Sequence, residues 1–205
     1  MQIFTKNQLQ WKAPPVSPSQ GICFLKALRD SGIQRVVAHA SYLINLAGGG
    51  LHWERSVQAL IDEIGRCDQL GIDDLVLHPG AHMGQGIEKG LCKLKEALRN
   101  VLAVTEESRV RILLETMAGQ GTALGADLDL FARRCAEEKR AFRASVDARL
   151  VHTGRPGRIR EEARGMLSRL VGRTGVLFGC GVVAYDCDPR NVLALREARD
   201  EFSRS

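Results

Sequence analysis

The sequence predicts an α/β fold in which a parallel sheet is covered by helices. Three observations carry that prediction. Short strand-like runs that are apolar throughout alternate with amphipathic helical stripes. The alternation repeats at about one βα unit. Three successive runs end on a residue of a kind that binds metal ions.

The elements follow in order. QIFTKNQ (2–8) reads as an opening strand. SPSQGICFLKALRDSGI (17–33) offers a serine cap, then Ile22, Leu25 and Leu28, with Gly32 as a stop. QRVVAHAS (34–41) is a short β-branched run with His39 near its end. SVQALIDEIGRCDQLGI (56–72) sets Val57, Leu60, Ile61, Ile64 and Cys67 on one stripe and stops at Gly71. DDLVLHPG (73–80) is a strand that ends on His78 and breaks at Pro and Gly. KGLCKLKEALRNVLAV (89–104) aligns Leu91, Leu94, Leu98, Val101 and Leu102, and VRILLET (110–116) is a strand ending at Glu115. Further strands are expected at 143–152 and 176–185.

His39, His78 and Glu115 are spaced 39 and 37 residues apart, so each βα unit places one potential ligand at the C-terminal end of its strand. In a TIM-type (β/α) barrel those ends meet on the face where sites form. The expectation is a single barrel domain over residues 1–205 that is incomplete, since four clear strands and two further ones fall short of the eight that close a barrel. Open sheet edges would then invite association of an otherwise monomeric chain.

Bulk properties exclude several classes. The chain is 44% hydrophobic and 26% charged, ordinary for a globular protein, and no apolar run approaches a membrane span. The N-terminus lacks the sections of a signal peptide. Six cysteines are scattered without CxxC spacing, which argues against a disulfide frame and a cysteine zinc site and suits the cytoplasm. The net charge of +5 is unevenly spread: residues 1–125 hold 13 basic and 12 acidic groups, residues 126–205 hold 16 and 12. Fifteen of those 16 are arginines.

One histidine at a strand end is most often a core residue satisfied by a carbonyl. Two imidazoles and a carboxylate in phase are a zinc set, and three ligands leave room for water or substrate. His52, beside Trp53, reads as a surface or packing residue; His82 as a hydrogen-bonding partner of the site; His152 as exposed. The glycine stretches AGGG (47–50), GQG (84–86) and GQGTALG (119–125) match no phosphate-loop or dinucleotide pattern and read as loops above a sheet.

FTKNQLQW (4–11), AHASYLINLA (38–47), ERSVQALIDEIGRCDQLGI (54–72), LHPGAHMGQG (77–86) and LLETMAGQGTALG (113–125) resemble the endonuclease IV family of apurinic/apyrimidinic endonucleases over residues 2–125. The resemblance implies a TIM barrel with three zinc ions that cleaves double-stranded DNA 5′ to abasic sites in base excision repair. It places His39 and His78 on ligands of one zinc, and Glu115 on a catalytic carboxylate bridging that zinc to a second. It places Tyr42 and Leu43 in a loop that enters the duplex at the lesion, where a missing base lowers the cost of unstacking. Asn7 and Gln8 match a neighbouring recognition loop, while Leu9 stands where the family usually has an arginine.

Departures accompany the resemblance. The sequence starts at what would be the family's second strand. The family's LDTCH, HxND, SRxDRH and final LET segments have no recognisable counterpart. If SVDARLV (145–151) occupies the LDTCH position, Asp147 matches its aspartate ligand and Leu150 replaces its histidine. Residues 126–205 are thus expected to be a diverged, truncated or partly out-of-frame version of the family's C-terminal half, able to support one zinc and weak or no activity. Two alternatives stand beside the nuclease: an inactive DNA-binding remnant, and a metal-dependent sugar isomerase or epimerase on a similar barrel.

Overall fold

A computed structural model of the chain describes residues 1–115, 122–124, 142–173, 176–181, 183 and 186–202. Cys135 and most of the glycine stretch 119–125 lie outside the described residues. The described elements run β1 (Gln2–Phe4), α1 (Pro18–Ser31), β2 (Val37–His39), α2 (Gly50–Leu70), β3 (Asp74–Leu77), α3 (Ile87–Val104), β4 (Arg111–Glu115), β5 (Phe142–Val146), α4 (Ala148–Thr153), α5 (Pro156–Ser168), β6 (Val176–Cys180) and α6 (Pro189–Phe202). The fold is α/β, and the described residues form six parallel strands, fewer than the eight of a closed barrel. The chain divides into two compact units, with the break at the end of β4.

In the first unit β1, β2, β3 and β4 pair in that order, all parallel. Their alternate residues face the helices. Ala38, Leu75 and Leu77 belong to the core under α2 and α3, and Ile3, Ile112 and Leu114 pack against it. Successive side chains of a strand point to opposite faces. Phe4, His39, Val76 and Glu115 therefore project from the other face, and His78 follows Leu77 directly.

Local chemistry sets the helix ends. Ser17 accepts from the Gln20 amide while the Gln20 side chain accepts from Ser17, a full capping box, and Gly32 closes α1 in the left-handed region. The stripe expected on α1 is only partly used: Ile22 is 67% exposed and Gly21 is the buried residue. A Cβ on Gly21 would lie 2.5 Å from the Gln69 carbonyl oxygen, so α1 meets α2 through a glycine and the side chains beside it stay outside. Helix α2 starts at Gly50, earlier than the apolar stripe begins, which puts His52 and Trp53 in its first turn. At the opposite ends of the strands, buried Asp74 accepts from Arg35 and Arg111, tying the starts of β2, β3 and β4.

The second unit pairs β5 with β6 in parallel register. The strand expected over 143–152 ends at Val146, because Asp147 caps α4 by accepting from the Arg149 amide at 2.7 Å. Val151, Ile159, Ala163, Ala194 and Ala198 form the core between the helices and β5. Asn191 donates to the carbonyls of Val151 and Gly154, closing the end of α4. Arginines concentrated here pair across helices: Arg160 with Glu197 at 2.7 Å and Arg164 with Glu201 at 2.6 Å. Such exposed pairs add little stability.

The burial of α2 gives a direct test. Cys67 is wholly buried, and burial first, then the carboxylates of Glu63 and Asp68, push its thiol up to about 12. Exposed Cys23 and Cys92 should alkylate readily at pH 8 while Cys67 stays unmodified until the chain unfolds. Peptide mass spectrometry after a timed pulse checks this, and fast native labelling of Cys67 would contradict the packing of α2.

Candidate metal centre

His39, His78 and Glu115 come together. Each offers one ligand atom, and those atoms all lie within 4.8 Å of one another. The strands explain why. His39 is the last residue of β2, His78 stands one residue past β3, and Glu115 is the last of β4. Val76 pairs with Leu113 and Leu77 with Leu114, so Glu115 continues the row that holds His78. His39 pairs with Val76 and sits one pleat lower.

The donor set fits a divalent ion. Metal bonds of about 2.0–2.2 Å put two ligands of one ion at most about 4.4 Å apart, so small side-chain rotations close the set. His39 is 2% exposed and its Nδ1 lies 2.7 Å from the Ala40 carbonyl oxygen. Donation by Nδ1–H to that carbonyl fixes the tautomer in which Nε2 is the basic nitrogen, the usual arrangement of a metal-binding histidine. The rings of Phe4, His39, Tyr42 and His78 pack on one another at 5.0–5.6 Å. An apolar rim of this kind limits water around the ligands.

The sequence family described as the xylose isomerase-like TIM barrel matches residues 1–148. The chain belongs to this family. The match runs past residue 125 and takes in β5. The chain is 48% identical over 134 residues to a probable endonuclease 4 of Chloroflexus aurantiacus, covering 65% of this chain and 47% of that protein. It is 38% identical over 133 residues to a probable endonuclease 4 of Geobacter sulfurreducens, covering 64% and 45%. These relatives bear out the endonuclease IV resemblance, and the chain spans about half their length.

Among solved structures, endonuclease IV from Thermus thermophilus is similar with a TM-score of 0.69 at 24% identity, covering 98% of this chain and 88% of that one. A D-tagatose 3-epimerase-like protein is similar with a TM-score of 0.60 at 17% identity, covering 99% and 87%. At such identities these likenesses speak for the fold alone.

The other residues expected in the site fall as follows. Asp147 is exposed and caps α4, and it is not in the three-residue group. Leu150 packs into the core of the second unit, as an apolar residue on a helix should. Tyr42 is 40% exposed and Leu43 half-buried, in the loop after β2. Asn7 is exposed and Gln8 half-buried in the loop after β1. The Asn7 side chain accepts from the Leu9 amide. The Gln8 carbonyl accepts from the Tyr42 amide at 3.1 Å and the Ser41 hydroxyl at 2.8 Å, so the two loops are joined. His82 accepts from the Gly86 amide at 3.1 Å and shapes its own turn. His52 meets the Leu43 carbonyl at 3.1 Å. His152 is half-buried and not exposed, 4.0 Å from Asp186.

Two supporting groups lie inside the stretches that carry the resemblance, yet the spacing argument does not single them out. Glu63, on α2, is buried beneath the loops and accepts from the Thr5 hydroxyl at 2.5 Å and the Ser41 amide at 3.2 Å, with Lys6 at 3.5 Å. Asn45 accepts from the amides of Ala47 and Ala81 and donates to the Ala81 carbonyl, clamping the loop after His78. Gly80 lets that clamp close: its φ is +96°, and a Cβ there would lie 2.3 Å from the Asn45 oxygen.

Gly80→Ala should therefore destabilise the first unit by about 2–4 kcal/mol, from the left-handed backbone and the collision together. It should also weaken metal binding through His78. A denaturant melt beside a metal titration reads both, and a neutral result would contradict the clamp. The acid limb offers a second check. Burial works to raise Asp62, but hydrogen bonds from Lys6 and Arg66 overcome it and hold the carboxyl below its ordinary 3.8. A carboxyl lowered by folding stabilises above its unfolded value, and that contribution fades as pH falls through the folded one. Asp62→Asn should thus flatten the stability profile below about pH 4, as acid titration followed by circular dichroism would show.

Proposed function

We propose that this chain is a zinc-dependent endonuclease that hydrolyses the phosphodiester 5′ to abasic sites in double-stranded DNA, serving base excision repair in the cytoplasm as a monomer. One observation carries the reading: His39, His78 and Glu115 converge in a chain whose first part is 48% identical to a protein named probable endonuclease 4. Zinc, bound by these three, would supply Lewis acidity toward the phosphate and lower the pKa of water at neutral pH.

The residues divide the remaining work. His39 would present Nε2 and His78 a second imidazole. Glu115 would supply the negative charge that holds a dication, and it is the carboxylate assigned a catalytic role. Tyr42 and Leu43 act as the wedge at the lesion, with the Tyr42 ring packed at an angle beside both histidines. Asn7 and Gln8 contact the strand alongside. The join between Gln8 and residues 41 and 42 keeps these loops from moving independently. A small-sugar enzyme has no use for such a wedge, which favours the nuclease over an isomerase or epimerase on the same barrel. The exposed, capping Asp147 favours weak activity, and an inert DNA-binding remnant is the nearest competitor.

A duplex with one abasic site, incubated with and without chelator, tests the reading. The expected outcome is slow incision that the chelator abolishes and added zinc restores. His39→Ala or His78→Ala should lower zinc affinity on the order of 10–100-fold or more and remove the incision. Binding without cleavage would support the remnant. Sugar turnover without DNA binding would support the epimerase.

A further inference from the structure

Helix α2 carries an exposed cation whose charge the fold does not neutralise. Within the first unit, the Arg55 guanidinium lies over the Trp11 ring, 4.7 Å from its centroid. Among the described residues no carboxylate or carbonyl takes its N–H donors. A helical arginine at the surface commonly meets a carboxylate three or four residues away. Here those positions are Leu51, His52, Gln58 and Ala59. Glu54, next in sequence, does not face Arg55 on a helix, and Asp62 is held by Lys6 and Arg66. The loops after β1 and β2 offer no carboxylate either, since Asp30, on α1, is the one acidic residue in the first 53. Lys12 adds a second exposed cation directly after Trp11.

The ring under the cation is fixed. Trp11 is half-buried against the core of the first unit. The His52 ring meets it nearly edge-on, with centroids 5.2 Å apart and planes at 79°. His52 Nε2 lies 3.1 Å from the Leu43 carbonyl oxygen, to which an Nε2–H would donate. One line of contacts thus joins Arg55 to the loop after β1 and the loop after β2.

We propose that Arg55, seated on Trp11, binds a backbone phosphate of a nucleic-acid strand lying along these two loops. This rests on the reading of the chain as a DNA-binding protein and adds a contact to it. A guanidinium suits the role because its planar fork meets phosphate oxygens in pairs and also rests well on an aromatic ring. The ring restrains a long side chain beforehand, so less freedom is lost when the phosphate arrives. A phosphate contact fixes where a strand lies and reads nothing of its bases. Arg55 therefore strengthens the hold on damaged and intact duplex alike.

The test is a salt series on the full chain with two duplexes, one intact and one carrying a single abasic site. Fluorescence anisotropy, read before incision sets in, gives each affinity from about 50 to 200 mM salt. Arg55→Gln should weaken binding to both duplexes by the same factor, about tenfold at the lower salt. It should also flatten the plot of log affinity against log salt by about 0.9, the loss of one phosphate contact. Arg55→Lys should keep the parent's slope. Trp11→Phe, which keeps a ring, should stay within about threefold of the parent, and Trp11→Leu should lose more affinity at an unchanged slope. Circular dichroism verifies that each variant is folded. Unchanged affinity and slope in folded Arg55→Gln would overturn the inference and leave DNA binding standing. A loss confined to the abasic duplex would overturn it too, because Arg55 would then act at the lesion. If the parent binds neither duplex, the DNA reading falls and the inference falls with it. Should Trp11→Leu fail to fold, Arg55→Gln decides, since an exposed helical position tolerates glutamine.

Discussion

A carboxylate and an imidazole almost wholly out of water can stay at the ends of parallel strands only if their polar atoms are met. Glu115 is 3% exposed and His39 is 2% exposed. Burying a lone ionised carboxylate is costly enough that it would protonate or turn outward. Here Ser145 and Arg143 hold Glu115, and the Ala40 carbonyl holds His39. The rest of the site follows from that satisfaction. Strand alternation aims these side chains away from the helices, and the hydrogen bonds hold them once aimed. A metal centre is the arrangement for which both conditions are useful at once.

The loops above the strands obey the same logic at longer range. Side chains on α2 and in the loop after β2 supply what the loop backbones lack. Glu63 serves Thr5 and Ser41, and Asn45 serves both polar atoms of Ala81. Buried loop backbone without such partners would lose its hydrogen bonds to water and gain none in return. Glu63 is itself buried, and Lys6 answers its charge. A chain of polar contacts therefore runs from α2 to the loops carrying Gln8 and Tyr42. It ties those two loops to α2 and to each other.

Part of this was legible in the sequence and part was not, for a physical reason. The period of a strand and of a helix is local, so the ends of β3, β4, α1 and α3 fell within a few residues of where apolar runs stop. The phase of His39, His78 and Glu115 is local in the same sense: each ends its own run, and the parallel sheet brings them together without further information. Contacts between a side chain and distant backbone have no period. Nothing near Asn45 announces that it will hold Ala81, and nothing near Glu63 announces Thr5. The strand expected over 143–152 failed for a related reason. Val151 and Leu150 are apolar in either state, and the cap supplied by Asp147 decided for a helix. That same cap occupies the carboxylate that the family resemblance would have spent on a metal.

The arginine-rich composition of the second part has two physical meanings, which composition cannot separate. Arg160 and Arg164 lie between α5 and α6 and pair with exposed glutamates, in water that screens them. Their contribution is to solubility and helix packing, and any of them could be exchanged at small cost. Arg143 is one more residue in the same count, yet it is buried against a carboxylate and a strand-end carbonyl. Burial weakens the screening, so its charge acts more strongly on its neighbours, Glu115 and Cys180 among them. The surplus of arginine does not by itself indicate a surface for phosphate. What matters is the dielectric around each guanidinium, and among the described residues of the second part Arg143 on β5 is the arginine buried against a carboxylate.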